Sequence, residues 1–113
     1  MLTIYHNPRC SKSRQTLELI KENSNKEIKV IEYLKEPVTQ EDIEQLLTLL
    51  SCSPIEMMRV KEAEFTEQNL SGADDKALIA AMVTTPKLIE RPIVSDGNKA
   101  VIGRPPENAL ALC

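Results

Sequence analysis

Cys10 is the residue of this chain with the clearest capacity for chemistry, because a deprotonated thiol is a strong nucleophile. Ser13 and Arg14 follow it by three and four residues, a spacing that places all three side chains on one face of a helix. A thiol, a hydroxyl and a guanidinium on one face indicate a site that binds an anion and attacks it. The polar and basic neighbours of the cysteine are Arg9, Ser11, Lys12, Ser13 and Arg14.

A small buried apolar residue is the usual role of a free cysteine, and this is the alternative interpretation of Cys10. A cysteine in a protein core has apolar neighbours, whereas the neighbours of this one are hydroxyl-bearing or positively charged. An electropositive setting is typical of reactive cysteines. We therefore predict a reactive thiol at position 10.

The residues around Cys10 predict a strand and a helix with the cysteine on the turn between them. An alternating apolar pattern predicts a strand over about 2–6, and Asn7-Pro8 is a turn signal that ends it. Leu17 and Ile20 recur at helical spacing, which predicts a helix over about 10–23. Unpaired N–H groups and the helix dipole at such a helix start favour the thiolate over the thiol. The side chains suited to capping this start are those of Asn7, Ser11 and Ser13.

Length, charge and cysteine usage exclude several classes of function. A chain of 113 residues predicts a single domain over residues 1–113, and a net charge of −3 gives no support to a nucleic-acid partner. The sequence contains no apolar run long enough for a membrane span and no signal peptide, so we expect a cytoplasmic protein without a membrane partner. Three cysteines without paired spacing and a single histidine argue against a disulfide framework and against a metal site.

The remaining chain predicts a mixed sheet with a helical insertion. A second strand would complete a βαβ unit, so the first two strands should be parallel, whereas Asp96-Gly97 should join the last two as an antiparallel hairpin. We therefore predict the α/β class, with a mixed four-stranded sheet flanked by helices and a helical insertion at about 38–84. The predicted elements are a strand over 27–34, helices over 39–50 and 54–60, an irregular stretch over 61–73 with one helical turn, a helix over 74–84, strands over 91–95 and 99–102, and a closing helix over 107–112.

Four separated blocks of the sequence closely resemble the glutaredoxin-coupled arsenate reductases, which have a thioredoxin-like fold. These blocks run through nearly the whole chain, so the resemblance is more specific than one cysteine motif would be. The chain stops soon after the last block, as in the short branch of that family. The four blocks are residues 4–10 with Ser13-Arg14, then Arg59, then Arg91-Pro92-Ile93-Val94, and then Gly103-Arg104-Pro105.

The resemblance implies a role for each matching residue. Cys10 would be the nucleophile that attacks arsenate and forms a covalent adduct, and His6 and Ser13 would help to set the state of the thiol. Pro92 matches the position that is a cis-proline in thioredoxin folds, and Asn7 with Pro8 forms the turn before the cysteine. The arginines that would hold the oxyanion are Arg59, Arg91 and Arg104, and Arg14, on the same helix face as the cysteine, is a further candidate ligand.

Reducing equivalents should come from outside the chain, because Cys10-x-x-Ser13 has no second sulfur in the resolving position. The resemblance implies that glutathione would reduce the adduct to a mixed disulfide, and that glutaredoxin would resolve this disulfide with release of arsenite. We expect no bound cofactor and no metal, with glutathione as the external reductant.

Other functions stay open on the residues alone. A glutathione-linked monothiol oxidoreductase acting on mixed disulfides would use the same Cys-x-x-Ser layout, and a non-enzymatic thioredoxin-fold regulator would need no reactive thiol. A low-molecular-weight phosphatase is disfavoured, since its anion loop needs Cys-x5-Arg and position 16 is Thr16. Arginines recognise tetrahedral anions by charge and shape, so they do not distinguish arsenate from a similar oxyanion.

Overall fold

The computed structural model describes residues 1–113, which form four strands, four α-helices and three 3₁₀ helices. None of these helices combines the length and the apolar character needed to cross a bilayer. The strands and α-helices are β1 (Leu2–Tyr5), α1 (Ser11–Asn23), β2 (Ile28–Ile31), α2 (Gln40–Leu50), α3 (Ala63–Glu67), α4 (Asp75–Thr84), β3 (Ile93–Ser95) and β4 (Ala100–Ile102). The 3₁₀ helices cover Pro54–Met57, Pro86–Leu88 and Pro106–Leu112.

The four strands form one mixed sheet in the order β2-β1-β3-β4. β1 pairs with β2 in parallel, whereas β1 with β3 and β3 with β4 are antiparallel pairs. α1 is the crossover between the two parallel strands, as the short βαβ pattern requires. The predicted fold class, a mixed four-stranded α/β sheet flanked by helices, is confirmed.

Contacts divide the chain into two compact units, and the first consists of residues 1–36 and 91–113. In this unit α1 and the C-terminal 3₁₀ helix pack on the sheet, because alternate residues of β1 are apolar and fully buried. Each large aliphatic side chain buried in this way contributes about 1.5–3 kcal/mol. This core holds α1 against the sheet. Residues 6–10 connect the carboxyl end of β1 to the first residue of the helix. The buried cluster consists of Leu2, Ile4, Ile20, Val94, Ala109 and Leu112.

The second unit, residues 37–90, is helical. α2 begins with a capping box, in which the Thr39 hydroxyl accepts from the Asp42 N–H at 3.1 Å and the Asp42 carboxylate accepts from the Thr39 N–H at 3.0 Å. The unit extends beyond the predicted end of the insertion near residue 84, and the assignment of the whole chain to one domain stays a prediction. α2 and α4 supply the apolar interior of this unit. Their buried apolar residues are Ile43, Leu46, Leu78, Ala81 and Met82.

Several predicted elements are shorter or of a different type in the structure. β2 covers only Ile28–Ile31 because its partner strand β1 ends at Tyr5, the residue that pairs with Ile31. The segments predicted as a helix near 54–60 and as a closing helix are both 3₁₀ helices, and each starts with a proline. α3 lies in the stretch predicted to be irregular with one helical turn.

Candidate active site

Cys10 is the N-cap residue of α1, in an extended conformation with φ −94° and ψ 123°. Its N–H donates to the Asn7 carbonyl and its carbonyl accepts from the Arg14 N–H, both at 3.0 Å, so the backbone turns into the helix at this residue. The side chain is partly exposed. The thiol therefore lies at the amino end of a 13-residue helix, where N–H groups and the helix dipole favour negative charge.

The capping that the sequence predicts for this helix is wrong, because no side chain caps its first turn. The Asn7 carboxamide oxygen accepts instead from the Arg9 N–H at 3.0 Å, which closes the turn before the cysteine. The Ser13 hydroxyl oxygen accepts from the Asn7 N–H at 3.0 Å, and Ser11 is exposed. An uncapped helix start leaves N–H donors for an anion.

His6 and Ser13 are brought together as a buried pair. His6 Nδ1 lies 2.6 Å from Ser13 Oγ, and the two side chains are 6% and 0% exposed. Since Ser13 Oγ already accepts from the Asn7 N–H, its own proton can donate to an unprotonated Nδ1. Burial lowers the pKa of His6 below its usual 6.5, which favours this neutral ring. The pair braces the start of α1 against the end of β1.

The sheet register gathers three more of the predicted site residues at the end of β1 that leads to Cys10. Tyr5 pairs with Ile93, and Ile93 pairs with Ile102, so the residues just before β3 and just after β4 lie at that end. The Gly103 N–H donates to the Pro92 carbonyl at 2.8 Å, which continues the pairing by one step. Arg91 precedes Pro92 and Arg104 follows Gly103, so these two arginines are the next residues beyond this pair. Both are followed by cis peptide bonds, to Pro92 and to Pro105 respectively, and the second of these has no counterpart in the sequence prediction.

Arg91 carries an unsatisfied donor at this end of the sheet. Its Nε is buried and has no hydrogen-bond partner. Buried polar groups almost always have a partner, and a guanidinium nitrogen can only donate. An oxyanion is a chemically matched acceptor for this group.

Arg14 lies on the exposed side of α1 and donates from a terminal nitrogen to the Pro8 carbonyl at 3.0 Å. The bond links the first turn of the helix to the Asn7-Pro8 turn. The predicted role of Arg14 as an oxyanion ligand stays a prediction, and the contact that the structure gives it is one that braces the loop before Cys10.

Arg59 belongs to the second unit and is paired there with carboxylates. Its guanidinium lies 2.6 Å from Glu62 and 3.8 Å from Glu90, and its N–H donates to the Leu88 carbonyl at 2.7 Å. Glu62 also lies 3.5 Å from Lys87, so one carboxylate is shared by two cations. The guanidinium is thus held in place within its own unit.

Thr16 is a residue near the site that the sequence pattern does not single out. Its side chain is fully buried, and its single hydroxyl proton is shared between the Lys12 carbonyl at 2.8 Å and the Gly103 carbonyl at 3.3 Å. The helical spacing of the sequence does indicate that Thr16 is buried. It lies three residues after Ser13 and four before Ile20, on the buried face of α1.

A groove of about 840 Å³ runs beside the cysteine loop. His6, Pro8 and Ser11 line one part of it, and the side of α1 as far as Glu22 and the start of the C-terminal 3₁₀ helix line the rest. This volume is in the range of small-molecule sites and exceeds what one tetrahedral anion fills. The lining is mainly apolar, with Arg14 and three glutamates as its charged groups.

Comparison with known proteins gives results consistent with this geometry. The model of the ArsC family matches residues 5–112. The protein YfgD of Escherichia coli, named as uncharacterized, is 52% identical over 112 residues, which are 96% of this chain and 93% of the relative. A protein of Haemophilus influenzae named arsenate reductase is 41% identical over 114 residues, with 96% of each chain covered.

A solved structure described as arsenate reductase from Vibrio cholerae superposes with a TM-score of 0.92. The two chains are 45% identical, and the superposition covers 99% of this chain and 97% of the other. The family model spans the blocks that contain Cys10, Arg59, Arg91 and Arg104. The chain therefore belongs to the ArsC family, and its fold is that of the thioredoxin-like arsenate reductase structures.

Proposed function

We propose that this protein reduces arsenate, or an oxyanion of the same charge and shape, through a covalent bond to Cys10. The observation that carries the proposal is the combination of an uncapped helix start at Cys10 with the unsatisfied Nε of Arg91 at the same end of the sheet. One group is suited to hold negative charge on sulfur, and the other is suited to hold an oxyanion beside it. The names of the relatives support arsenate as the first substrate to test.

Arg91 and Arg104 are the proposed ligands of the oxyanion in the sheet unit. Guanidinium groups bind tetrahedral oxyanions through paired N–H donors, and they also offset the repulsion between an anionic substrate and a thiolate. Arg59 is proposed as a further ligand on the basis of the family resemblance. Arg14 is proposed as a weaker contributor, because its guanidinium already donates to Pro8.

The proposed reaction has two steps that balance in atoms and electrons. First, the Cys10 thiolate attacks the As(V) centre, an As–O bond breaks, and the oxygen leaves as water after protonation. Second, a glutathione thiolate attacks the Cys10 sulfur, the S–As bond breaks, and its electron pair stays on arsenic. As(V) becomes As(III) and leaves as arsenite, while the two thiols are oxidised to a mixed disulfide.

Glutaredoxin is the proposed partner that attacks this mixed disulfide and regenerates the Cys10 thiol. An external donor is needed because Ser13 occupies the position of a resolving cysteine and is itself buried against His6. The groove beside the cysteine loop, which Ser11 helps to line, has room for a thiol compound larger than the oxyanion. No further redox group of the chain has to be invoked.

The direct test is a coupled assay that contains arsenate, glutathione, glutaredoxin, glutathione reductase and NADPH. We expect arsenate-dependent oxidation of NADPH by the native protein and none above background by Cys10→Ser. Replacing Arg91 or Arg104 by glutamine should raise the KM for arsenate more than it lowers kcat. A native protein that gives the same rate as Cys10→Ser would refute the proposal.

A monothiol oxidoreductase that acts on glutathione mixed disulfides is the competing candidate, favoured by the Cys10-x-x-Ser13 layout. Such an enzyme needs the thiol but not the oxyanion ligands. Removal of glutathione from a glutathionylated peptide at an equal rate in the native protein and in Arg91→Gln, without any arsenate-dependent turnover, would favour it.

A further inference from the structure

We infer that Asn108 and Thr16 are positioning residues for Arg104, and this inference rests on the proposed role of Arg104 as an oxyanion ligand. The residues concerned are 102–104, which we call the Arg104 segment. The three successive carbonyl groups of this segment each accept a hydrogen bond from one of these two side chains. The backbone that carries the arginine is thereby held from two sides.

Asn108 holds the two outer carbonyls of the Arg104 segment. Its amide nitrogen donates to the Ile102 carbonyl at 3.1 Å and to the Arg104 carbonyl at 3.3 Å. The Asn108 N–H donates in turn to the Pro105 carbonyl at 3.0 Å, so the residue is fixed where the C-terminal 3₁₀ helix begins. The exposed Asn108 side chain therefore bridges the two ends of the turn that contains Arg104.

Thr16 holds the central carbonyl and links it to the helix that starts at Cys10. Its hydroxyl lies 3.3 Å from the Gly103 carbonyl, and a Cβ placed on Gly103 would lie 2.8 Å from that hydroxyl oxygen and 2.9 Å from Pro92 Cγ. Real Cβ atoms essentially never approach this closely, so only glycine fits between Thr16 and Pro92. The Gly103 N–H also donates to the Pro92 carbonyl at 2.8 Å.

These contacts fix the distance between two parts of the proposed reaction centre. Cys10 is the N-cap of α1, Thr16 lies six residues further along the same helix, and Gly103 precedes Arg104. A shift of the Arg104 segment therefore changes where the guanidinium lies relative to the thiol. Losing one neutral hydrogen bond that positions a ligand typically weakens binding about fivefold.

The test is the protection of Cys10 from iodoacetamide by arsenate, read by mass spectrometry of the Cys10 peptide. We expect the arsenate concentration for half-maximal protection to rise about fivefold in Asn108→Ala and in Thr16→Val. Thr16→Ser keeps the hydroxyl and should protect like the native protein. In an Arg104→Gln background, neither Asn108→Ala nor Thr16→Val should weaken protection further, because a positioning residue acts only through the residue that it positions.

Two matched controls carry the same chemistry elsewhere in the chain. The Asn23 amide donates to the Leu19 carbonyl at 2.9 Å, and the Thr48 hydroxyl donates to the Glu44 carbonyl at 3.1 Å, both at exposed positions. Asn23→Ala and Thr48→Val should leave protection unchanged. Since Asn108 is exposed, its variant should fold even where Thr16→Val does not.

The outcomes separate the two proposals. If arsenate protects the native protein and also protects Asn108→Ala and Thr16→Val at the same concentration, the positioning role is overturned and the proposed function stands. Further weakening in the Arg104→Gln background likewise overturns the positioning role. If arsenate does not protect the native protein, both the proposed function and this inference are overturned.

Discussion

His6 and Ser13 show how one buried pair shapes the start of α1. Burial is the largest cause of the lowered pKa of His6; among nearby charges, Glu32 raises this pKa, whereas Arg14 and Lys21 lower it. The unprotonated Nδ1 of the neutral ring can then accept a hydrogen bond from the Ser13 hydroxyl across 2.6 Å. Protonation of the ring would remove this acceptor and bury a charge, so the pair is sensitive to acid.

This sensitivity predicts a pH dependence of the free energy of unfolding. The folded-state pKa of His6 lies below 6.5, so as the pH falls the unfolded chain takes up the proton first. Stability is therefore lost from about pH 6.5 downward through the folded-state pKa, and this contribution is constant above that window. Urea unfolding at pH 7.5 and at pH 5 should show a larger loss for the native protein than for His6→Asn.

His6 is the single histidine of the chain, which makes the difference between these two proteins specific to this ring. Carboxylates also titrate in acid, but they do so in both proteins. Equal losses of stability for the native protein and for His6→Asn would contradict the account of the buried pair.

Replacing Ser13 by alanine should cost about 1–3 kcal/mol of stability, because the buried His6 Nδ1 and the partly buried Asn7 N–H would both lose their partner. Ser11→Ala is the matched control, since Ser11 is exposed two residues earlier, and it should change stability by less than about 0.5 kcal/mol. Chemical denaturation of the two variants provides the comparison. A Ser13→Ala protein as stable as Ser11→Ala would show that the pair does not brace the helix.

At the scale of elements, the close approach of α1 to the end of β4 is the feature most sensitive to a single substitution. Gly103→Ala places a methyl group within 3 Å of both Thr16 and Pro92, and neither neighbour has a flexible end that could move away. Overpacking of this kind typically costs about 1–3 kcal/mol. We expect Gly103→Ala to lower the midpoint of urea unfolding.

The double variant Gly103→Ala, Thr16→Ala tests the cause of this loss. Removing the Thr16 side chain makes room for the new methyl group, so the double variant should be more stable than the sum of the single changes by about 0.5–3 kcal/mol. Strict additivity of the free energies of unfolding would mean that the two positions are not in contact.

The sequence predicts elements that carry local signals, such as capping side chains, better than elements whose length depends on pairing with another strand. The side chains of Thr39 and Asp74 predict helix starts, and both caps are present in the structure. The predicted β2 is too long, because strand propensity continues past Ile31 while the pairing with β1 does not. The 3₁₀ geometry at the C-terminus has no clear local signal beyond its proline.

At the scale of the whole molecule, the sheet order brings together residues that are more than eighty positions apart in sequence. Arg91 and Arg104 reach the end of β1 only through the register of β3 and β4, and the contact between Thr16 and Gly103 depends on the same packing. A single sequence shows no such pairing from local patterns. The family resemblance predicts the arginines as site residues, whereas only the structure indicates the contacts of Thr16 and Asn108.

Binding of an oxyanion should stabilise the whole protein, because a ligand that binds only the folded state shifts the equilibrium toward that state by an amount that grows with its concentration relative to the Kd. Arsenate should raise the melting temperature of Cys10→Ser, in which no covalent bond can form, and a concentration one hundred times the Kd would add about 2.7 kcal/mol. Arg91→Gln in this background should reduce the shift. Differential scanning fluorimetry at constant ionic strength, set with chloride, gives the measurement.

Arg9→Gln, in the same Cys10→Ser background, is the matched control for this shift. Arg9 is an exposed arginine next to the cysteine position and outside the proposed ligand set, so its loss should leave most of the shift in place. Equal reductions for Arg91→Gln and Arg9→Gln would indicate general charge screening in place of a defined oxyanion site.

The most direct test of the central claim is the chemical state of the Cys10 sulfur after incubation with arsenate and glutathione in the absence of glutaredoxin. Mass spectrometry should find a glutathione mixed disulfide on Cys10 that accumulates only when both arsenate and glutathione are present. A Cys10 thiol that stays unmodified, or one that is glutathionylated to the same extent without arsenate, would contradict the account.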